Sequence, residues 1–176
     1  MGALSQNIIF VGFMGAGKTT IVRKLARDLG VASVDTDMYI ERKYGCSPAT
    51  IFTCKGEQTF REMESEALRE CAALGPILIS CGEGVVESEE NREVLQNSGY
   101  VVHLYSDLDA ALSRIKSVRT RPLLKERDDI QELWNERIPV YEAVSHATIN
   151  VSGCPTSLSV RKIVKLLNDE KLYQAK

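Results

Sequence analysis

Short apolar, β-branched runs alternate along this chain with longer segments whose apolar residues recur at helical spacing. Residues 8–11 predict a first strand, ended by Gly12, and Lys18–Leu29 predicts a helix that Gly30 stops. Residues 32–34 read as a second strand, with Asp35 and Asp37 at its carboxyl edge. Pro48 opens a long helical stretch to Leu74, interrupted near residues 54–56, and Gly75-Pro76 breaks it before a third strand at 77–80. A helix at 88–97, a fourth strand at 100–104, a helix from about Asp107, a fifth strand at 148–151 and a closing helix at 157–168 complete the pattern. Alternating strands and helices predict an α/β fold: a five-stranded parallel sheet with helices on both faces, three layers in all, joined by right-handed crossovers. No internal repeat or low-complexity linker divides residues 1–176, so one domain is expected.

Ligands of such sheets bind outside the carboxyl ends of the strands. The notable residues fall there. After the first strand comes Gly12-Phe13-Met14-Gly15-Ala16-Gly17-Lys18-Thr19, a full match to GxxxxGK[ST] between a strand and a helix. Its glycines let backbone N–H groups turn toward phosphate oxygens, and the helix that follows points its positive end at the same anion. Lys18 supplies a point charge for the β- and γ-phosphates, and Thr19 a hydroxyl for Mg²⁺. The loop implies a nucleoside triphosphate, with ATP and Mg²⁺ as the expected pair. Asp35 and Asp37 follow the second strand and suit either metal and hydroxyl chemistry or helix capping. Gly82-Glu83-Gly84 follows the third strand. Residues 116–129 carry Lys116, Arg119, Arg121, Lys125 and Arg127 with little apolar periodicity, which reads as a mobile basic lid or as a solvated loop.

Composition narrows the partners. Charged residues make up 26% and the formal net charge is −2, so no global basic surface is available to hold nucleic acid. The N-terminus has no basic segment followed by a long apolar run, and the longest apolar stretches are too short to span a bilayer. The five cysteines (Cys46, Cys54, Cys71, Cys81, Cys154) stand singly, without a zinc-type pair, and read as reduced thiols. A cytoplasmic monomer acting on a small molecule is the expectation. The guanine signature NKxD is absent, which weakens a GTPase reading.

Further motifs occur in order: Asp35-Thr36-Asp37 followed by Ile40-Glu41; Ile51-Phe52 with Gly56-Glu57; Phe60-Arg61-x-x-Glu64; Arg121-Pro122-Leu123-Leu124; and Arg137-x-Pro139-x-Tyr141. With the glycine loop they make the chain, over roughly residues 7–168, similar to the shikimate kinase family of P-loop kinases. The resemblance implies ATP-dependent phosphorylation of the 3-hydroxyl of shikimate. It implies that Gly15, Ala16, Gly17, Lys18, Thr19 and Thr20 hold the nucleotide, with Arg114 and Pro155 near the adenine; Arg114 is equally consistent with a helix-surface role. Asp35 would hold Mg²⁺ through water. Asp37 would grip the acceptor hydroxyls and take the proton, and Arg61 and Arg137 would bind the carboxylate as guanidinium forks. Glu64, three residues after Arg61, would orient it. Arg121 would close over the phosphates with the lid, and residues 37–65 would form the helical acceptor-binding region.

The resemblance also implies that the backbone N–H groups of Gly82, Glu83 and Gly84 contact the acceptor, but the chain departs from this family at Glu83, which replaces the middle of three glycines. Glu83 either turns to solvent or places its carboxylate near the acceptor. A like charge about 6 Å from a bound carboxylate costs roughly 3 kcal/mol at an effective dielectric of 20, on the order of a hundredfold in affinity. Two alternatives therefore accompany the kinase reading: a related kinase for a different hydroxylated carboxylic acid, and a nucleotide-binding protein that no longer catalyses.

Overall fold

The computed structural model describes residues 2–115 and 127–175. Their elements, in chain order, are β1 (Ala3–Leu4), β2 (Asn7–Val11), α1 (Lys18–Leu29), β3 (Ser33–Asp35), α2 (Thr36–Tyr44), α3 (Pro48–Lys55), α4 (Glu57–Ala72), β4 (Leu78–Ser80), a 3₁₀ turn (Glu83–Val86), α5 (Glu89–Ser98), β5 (Gly99–Tyr105), α6 (Leu108–Arg114), α7 (Arg127–Val144), β6 (Ala147–Asn150), α8 (Thr156–Asp169) and β7 (Tyr173–Gln174).

The main sheet has five parallel strands in the order β3-β4-β2-β5-β6, as the alternating pattern predicts. β2 is central and all five of its residues are buried. Its side chains alternate between two cores. Ile8 and Phe10 join Leu25, Val102 and Ile163 on the face covered by α1 and α8, while Ile9 and Val11 join Leu68, Ile79, Val101 and Tyr141 on the other face, under α4 and α7. A continuous apolar run is what a strand buried on both faces requires. The chain departs from β2 toward β3 on one side and reaches β5 on the other, so the loop after β2 stands where the strand order reverses.

A small third cluster of Ile40, Ile51, Phe60 and Ala67 holds α2, α3 and α4 together at one end of the sheet. The break expected near residues 54–56 is Gly56, whose φ of 86° ends α3 and begins α4. α7 begins at Arg127, inside the range expected for the lid. Among the described residues no helix is long and apolar enough to cross a membrane.

An unexpected element closes the molecule. β1 pairs antiparallel with β7, joining the two ends of the described chain. At the start of β2, buried Asn7 donates to Ala72 O (2.8 Å) and Ser98 O (3.0 Å) and accepts from Ile77 N (3.2 Å). It stitches the ends of α4 and α5 to the sheet. Asn7→Ala removes three hydrogen bonds, strands the N–H of buried Ile77 and is expected to lower stability by about 3 kcal/mol. The urea midpoint should drop with the m-value unchanged; a loss well below 1 kcal/mol would contradict this role.

Candidate active site

The glycine loop links β2 to α1. Gly15 has φ 77°, and a β-carbon there would run into the Ala111 carbonyl, so glycine alone fits. Gly17 caps α1 in the left-handed region with no side-chain hydrogen bond, and the first turn of α1 carries no acidic residue. The N–H groups at this helix start are therefore left to a ligand from outside the helix. Lys18 Nζ lies back along the loop, donating to Gly12 O (2.6 Å) and Phe13 O (3.1 Å). Beneath it His103 is fully buried; burial, then the charge of Lys18, hold its pKa down at about 4 and keep the imidazole neutral near pH 7.

A cleft of about 570 Å³ opens over this loop. Gly15, Ala16, Gly17, Lys18, Thr19 and Thr20 line one part; Asp35, Asp37, Gly82 and Glu83 line another. Arg114 lines it as well, donating to Val151 O (2.8 Å) and Cys154 O (3.3 Å), which ties α6 to the loop before α8. The surface reading of Arg114 is thereby replaced by a place in the cleft wall. Pro155 is not in that wall: its neighbours Cys154 and Thr156 are, and Pro155 itself begins α8 as the cap.

The two aspartates differ in their contacts. Asp35, the last residue of β3, caps α2 by accepting from Met38 N (3.2 Å), and its other oxygen accepts from the Thr19 hydroxyl (2.7 Å). The cap of α2 and the Thr19 hydroxyl are thus held by different oxygens of one carboxylate. A hydroxyl and a carboxylate side by side are hard oxygen donors that fit Mg²⁺ bound through water and phosphate oxygens. Asp37, in the first turn of α2, faces the cleft beside Gly82. A β-carbon at Gly82 would lie 2.8 Å from Asp37 Oδ1 and 2.7 Å from Glu64 Oε1, so the glycine makes room for both acids.

The arginines stand behind this end of the cleft rather than in its wall. Arg61, on α4, pairs with Glu64 at 2.9 Å, the i,i+3 contact expected from spacing. It also meets Glu57 at 3.3 Å and Glu87 at 2.7 Å. A β-carbon at Gly84 would strike the Arg61 guanidinium. Arg137, on α7, donates to Glu83 O (3.2 Å) and to the Glu87 carboxylate. The hydroxyl of buried Tyr141 donates to the same Glu83 carbonyl (2.6 Å). The Glu83–Glu87 segment after β4 thus contacts both arginines, which share Glu87.

Glu83 does not turn to solvent. It lines the cleft, and its Oε2 is shielded from water. Its backbone carries no strain, since among the described residues the one non-glycine with positive φ is Lys171. One further expectation changes: Gly82 N–H, expected to face the acceptor, donates to the buried Thr36 hydroxyl at 3.0 Å. Thr36, Tyr141 and Glu87 were not singled out from sequence for these contacts. Thr36 stands between the two aspartates and Tyr141 in the Arg137 motif, whereas nothing marks Glu87. Arg121 and residues 116–126 of the expected lid lie outside the described residues.

Burial pushes the Glu64 carboxyl up to about 7, against the opposing pull of Arg61. An unfolded glutamate loses its proton near 4.5, so the folded state binds more protons between those values. Stability should therefore fall as pH rises from about 4.5 to 7. Glu64→Gln is expected to flatten that decline in urea midpoints taken across the window; an unchanged slope would contradict the assignment.

Comparisons with known proteins agree with this geometry. The model of the shikimate kinase family matches residues 14–168. The chain is 38% identical to shikimate kinase from Chromobacterium violaceum over 96% of its own length and 94% of the relative's. It is 35% identical to that from Dictyoglomus turgidum, over 95% and 100%. The solved structure of shikimate kinase from Acinetobacter baumannii in complex with shikimate superposes with a TM-score of 0.90 at 36% identity, covering 95% of each chain. The glycine loop, the paired aspartates and the two arginines thus sit on a fold shared along nearly the whole chain, and the protein belongs to the shikimate kinase family.

Proposed function

We infer that this protein transfers the γ-phosphoryl group of ATP to the 3-hydroxyl of shikimate, giving shikimate 3-phosphate. The observation that carries the reading is that Asp37 lines the same cleft as Lys18 and Thr19, with two arginines anchored just behind it on the Glu83–Glu87 segment. Family membership supports a kinase acting on a hydroxyl. The shikimate held by the A. baumannii relative favours shikimate over another hydroxylated acid, and the complete set of loop, aspartates and arginines argues against a protein that only binds nucleotide.

The residues divide the work as follows. Backbone N–H groups of Gly15, Ala16 and Gly17, with the side chains of Lys18, Thr19 and Thr20, hold the phosphates, and Arg114 lies toward the base. Thr19, with Asp35 through water, would hold Mg²⁺, which when bound would help neutralise the phosphate charge. Arg61 and Arg137 grip the acceptor carboxylate, and Gly82, Glu83 and Gly84 shape the wall beside it. Asp37 accepts the proton of the attacking hydroxyl and aims its oxygen in line. Arg121, from its sequence alone, is assigned to neutralise charge on the transferring group, with residues 116–129 as the lid that excludes water. The reading takes residues 1–176 as one domain, residues 37–65 as the acceptor-binding region, and the protein as a cytoplasmic monomer.

Purified protein with ATP and Mg²⁺ should release ADP only when shikimate is added. ADP release that is indifferent to shikimate would defeat the acceptor assignment.

A further inference from the structure

The two guanidinia assigned to the acceptor carboxylate already share a carboxylate. Glu87 Oε1 lies 2.7 Å from Arg61 Nη2, and the same oxygen accepts a hydrogen bond from Arg137 Nη2. Arg61 comes from α4 and Arg137 from α7, while Glu87 ends the 3₁₀ turn after β4. With Glu57 and Glu64 also on Arg61, three carboxylates contact two arginines. A substrate carboxylate entering this cluster meets like charge, so one of the three must give way.

Exposure and contacts decide which one. Glu64 is 2% exposed and bonds only Arg61 of the pair; moving it would strand a buried charge. Glu57 is 54% exposed and sits 3.3 Å from Arg61 alone, a rim contact that a substrate need not disturb. Glu87 spans both arginines, as an incoming carboxylate would, and is 30% exposed, so its side chain has a path to water. Its backbone is held separately, with N–H donating to Gly84 O (2.9 Å) and carbonyl accepting from Arg92 (3.1 Å). The side chain can therefore swing while the turn stays put. Arg61 would keep Glu64, and Arg137 would keep the Glu83 carbonyl, so both forks remain placed.

We propose that Glu87 is a specificity-determining residue: an internal carboxylate that occupies the Arg61–Arg137 pair until an acidic substrate displaces it. It sets the affinity of the site for carboxylates, and an acid that brings no hydroxyls for Asp37 gains nothing to offset the displacement. The inference rests on the kinase reading, which takes this pair as the carboxylate site.

Glu87→Gln keeps the size and removes the charge. Its KM for shikimate is expected to fall about tenfold, equivalent to about 1.4 kcal/mol, with the change in KM rather than kcat. The carboxamide analogue of shikimate should show no such gain. Glu87→Ala serves as a second variant if the first misfolds, with the same expectation. A KM that is unchanged or raised, or an equal gain with the carboxamide, overturns the proposal, because Glu87 would then be orienting the arginines or merely packing. Calorimetric titration of shikimate without nucleotide makes the same comparison without turnover. Tighter binding in the variants alongside a wild type that transfers no phosphoryl group supports this inference while defeating the kinase reading. Normal transfer with no tightening defeats this inference alone.

Discussion

Lys18→Ala is expected to lower kcat by about 10³-fold, with the fold intact. Phosphoryl transfer leaves the protein little covalent chemistry to do, so positioning and electrostatic stabilisation carry most of the rate. Removing one preorganised donor from such a site typically costs 10²–10³ in kcat, and a full positive charge sits at the upper end of that range. In the structure Lys18 Nζ donates to the loop carbonyls Gly12 O and Phe13 O, and its side chain lines the cleft. Circular dichroism and the unfolding midpoint should therefore stay close to wild type while turnover collapses. Activity within tenfold of wild type would remove Lys18 from the mechanism.

The second large effect is Asp37→Asn, with kcat expected to fall between about 10² and 10⁴-fold, the usual worth of a positioned general base. Asparagine keeps the shape beside Gly82, where a β-carbon would lie only 2.8 Å from Asp37 Oδ1, so packing is preserved. It can still hydrogen-bond a hydroxyl but cannot take its proton. The loss should accordingly appear mainly in kcat, with KM for the acceptor changing far less. A variant that loses acceptor affinity and keeps kcat would make Asp37 a binding residue only.

Much of this was legible before any coordinates. α1 spans Lys18–Leu29 and is ended by Gly30 at φ 66°, because a strand, a glycine loop and a C-terminal glycine are local signals. Gly56 divides α3 from α4 for the same reason. Arg61 and Glu64 meet because i,i+3 spacing is a property of one helix. What escaped was set by tertiary approach. β1 and β7 are two residues each, too short to carry a period, and they find one another across the length of the chain. Glu87 touches residues 26 positions before it and 50 after it, and no spacing rule connects α4, the 3₁₀ turn and α7. Asp35 was an either-or between capping and ligand chemistry only because a sequence does not show that a carboxylate's two oxygens face different ways. Glu83 was judged by what a like charge would do, whereas its geometry follows from space: the flanking glycines must stay bare for Asp37, Glu64 and Arg61, and the middle position need not.

The central claim is that one cleft joins a phosphate donor to the 3-hydroxyl of shikimate. Phosphorus NMR of a reaction containing purified protein, ATP, Mg²⁺ and shikimate tests it most directly. The account predicts that the γ-phosphate signal of ATP is replaced, mole for mole with ADP, by a phosphomonoester whose proton couplings place it on the 3-position of the ring. Inorganic phosphate as the sole new signal, or no consumption of ATP at any pH from about 6 to 9, a span that brackets the Glu64 titration near 7, would contradict it.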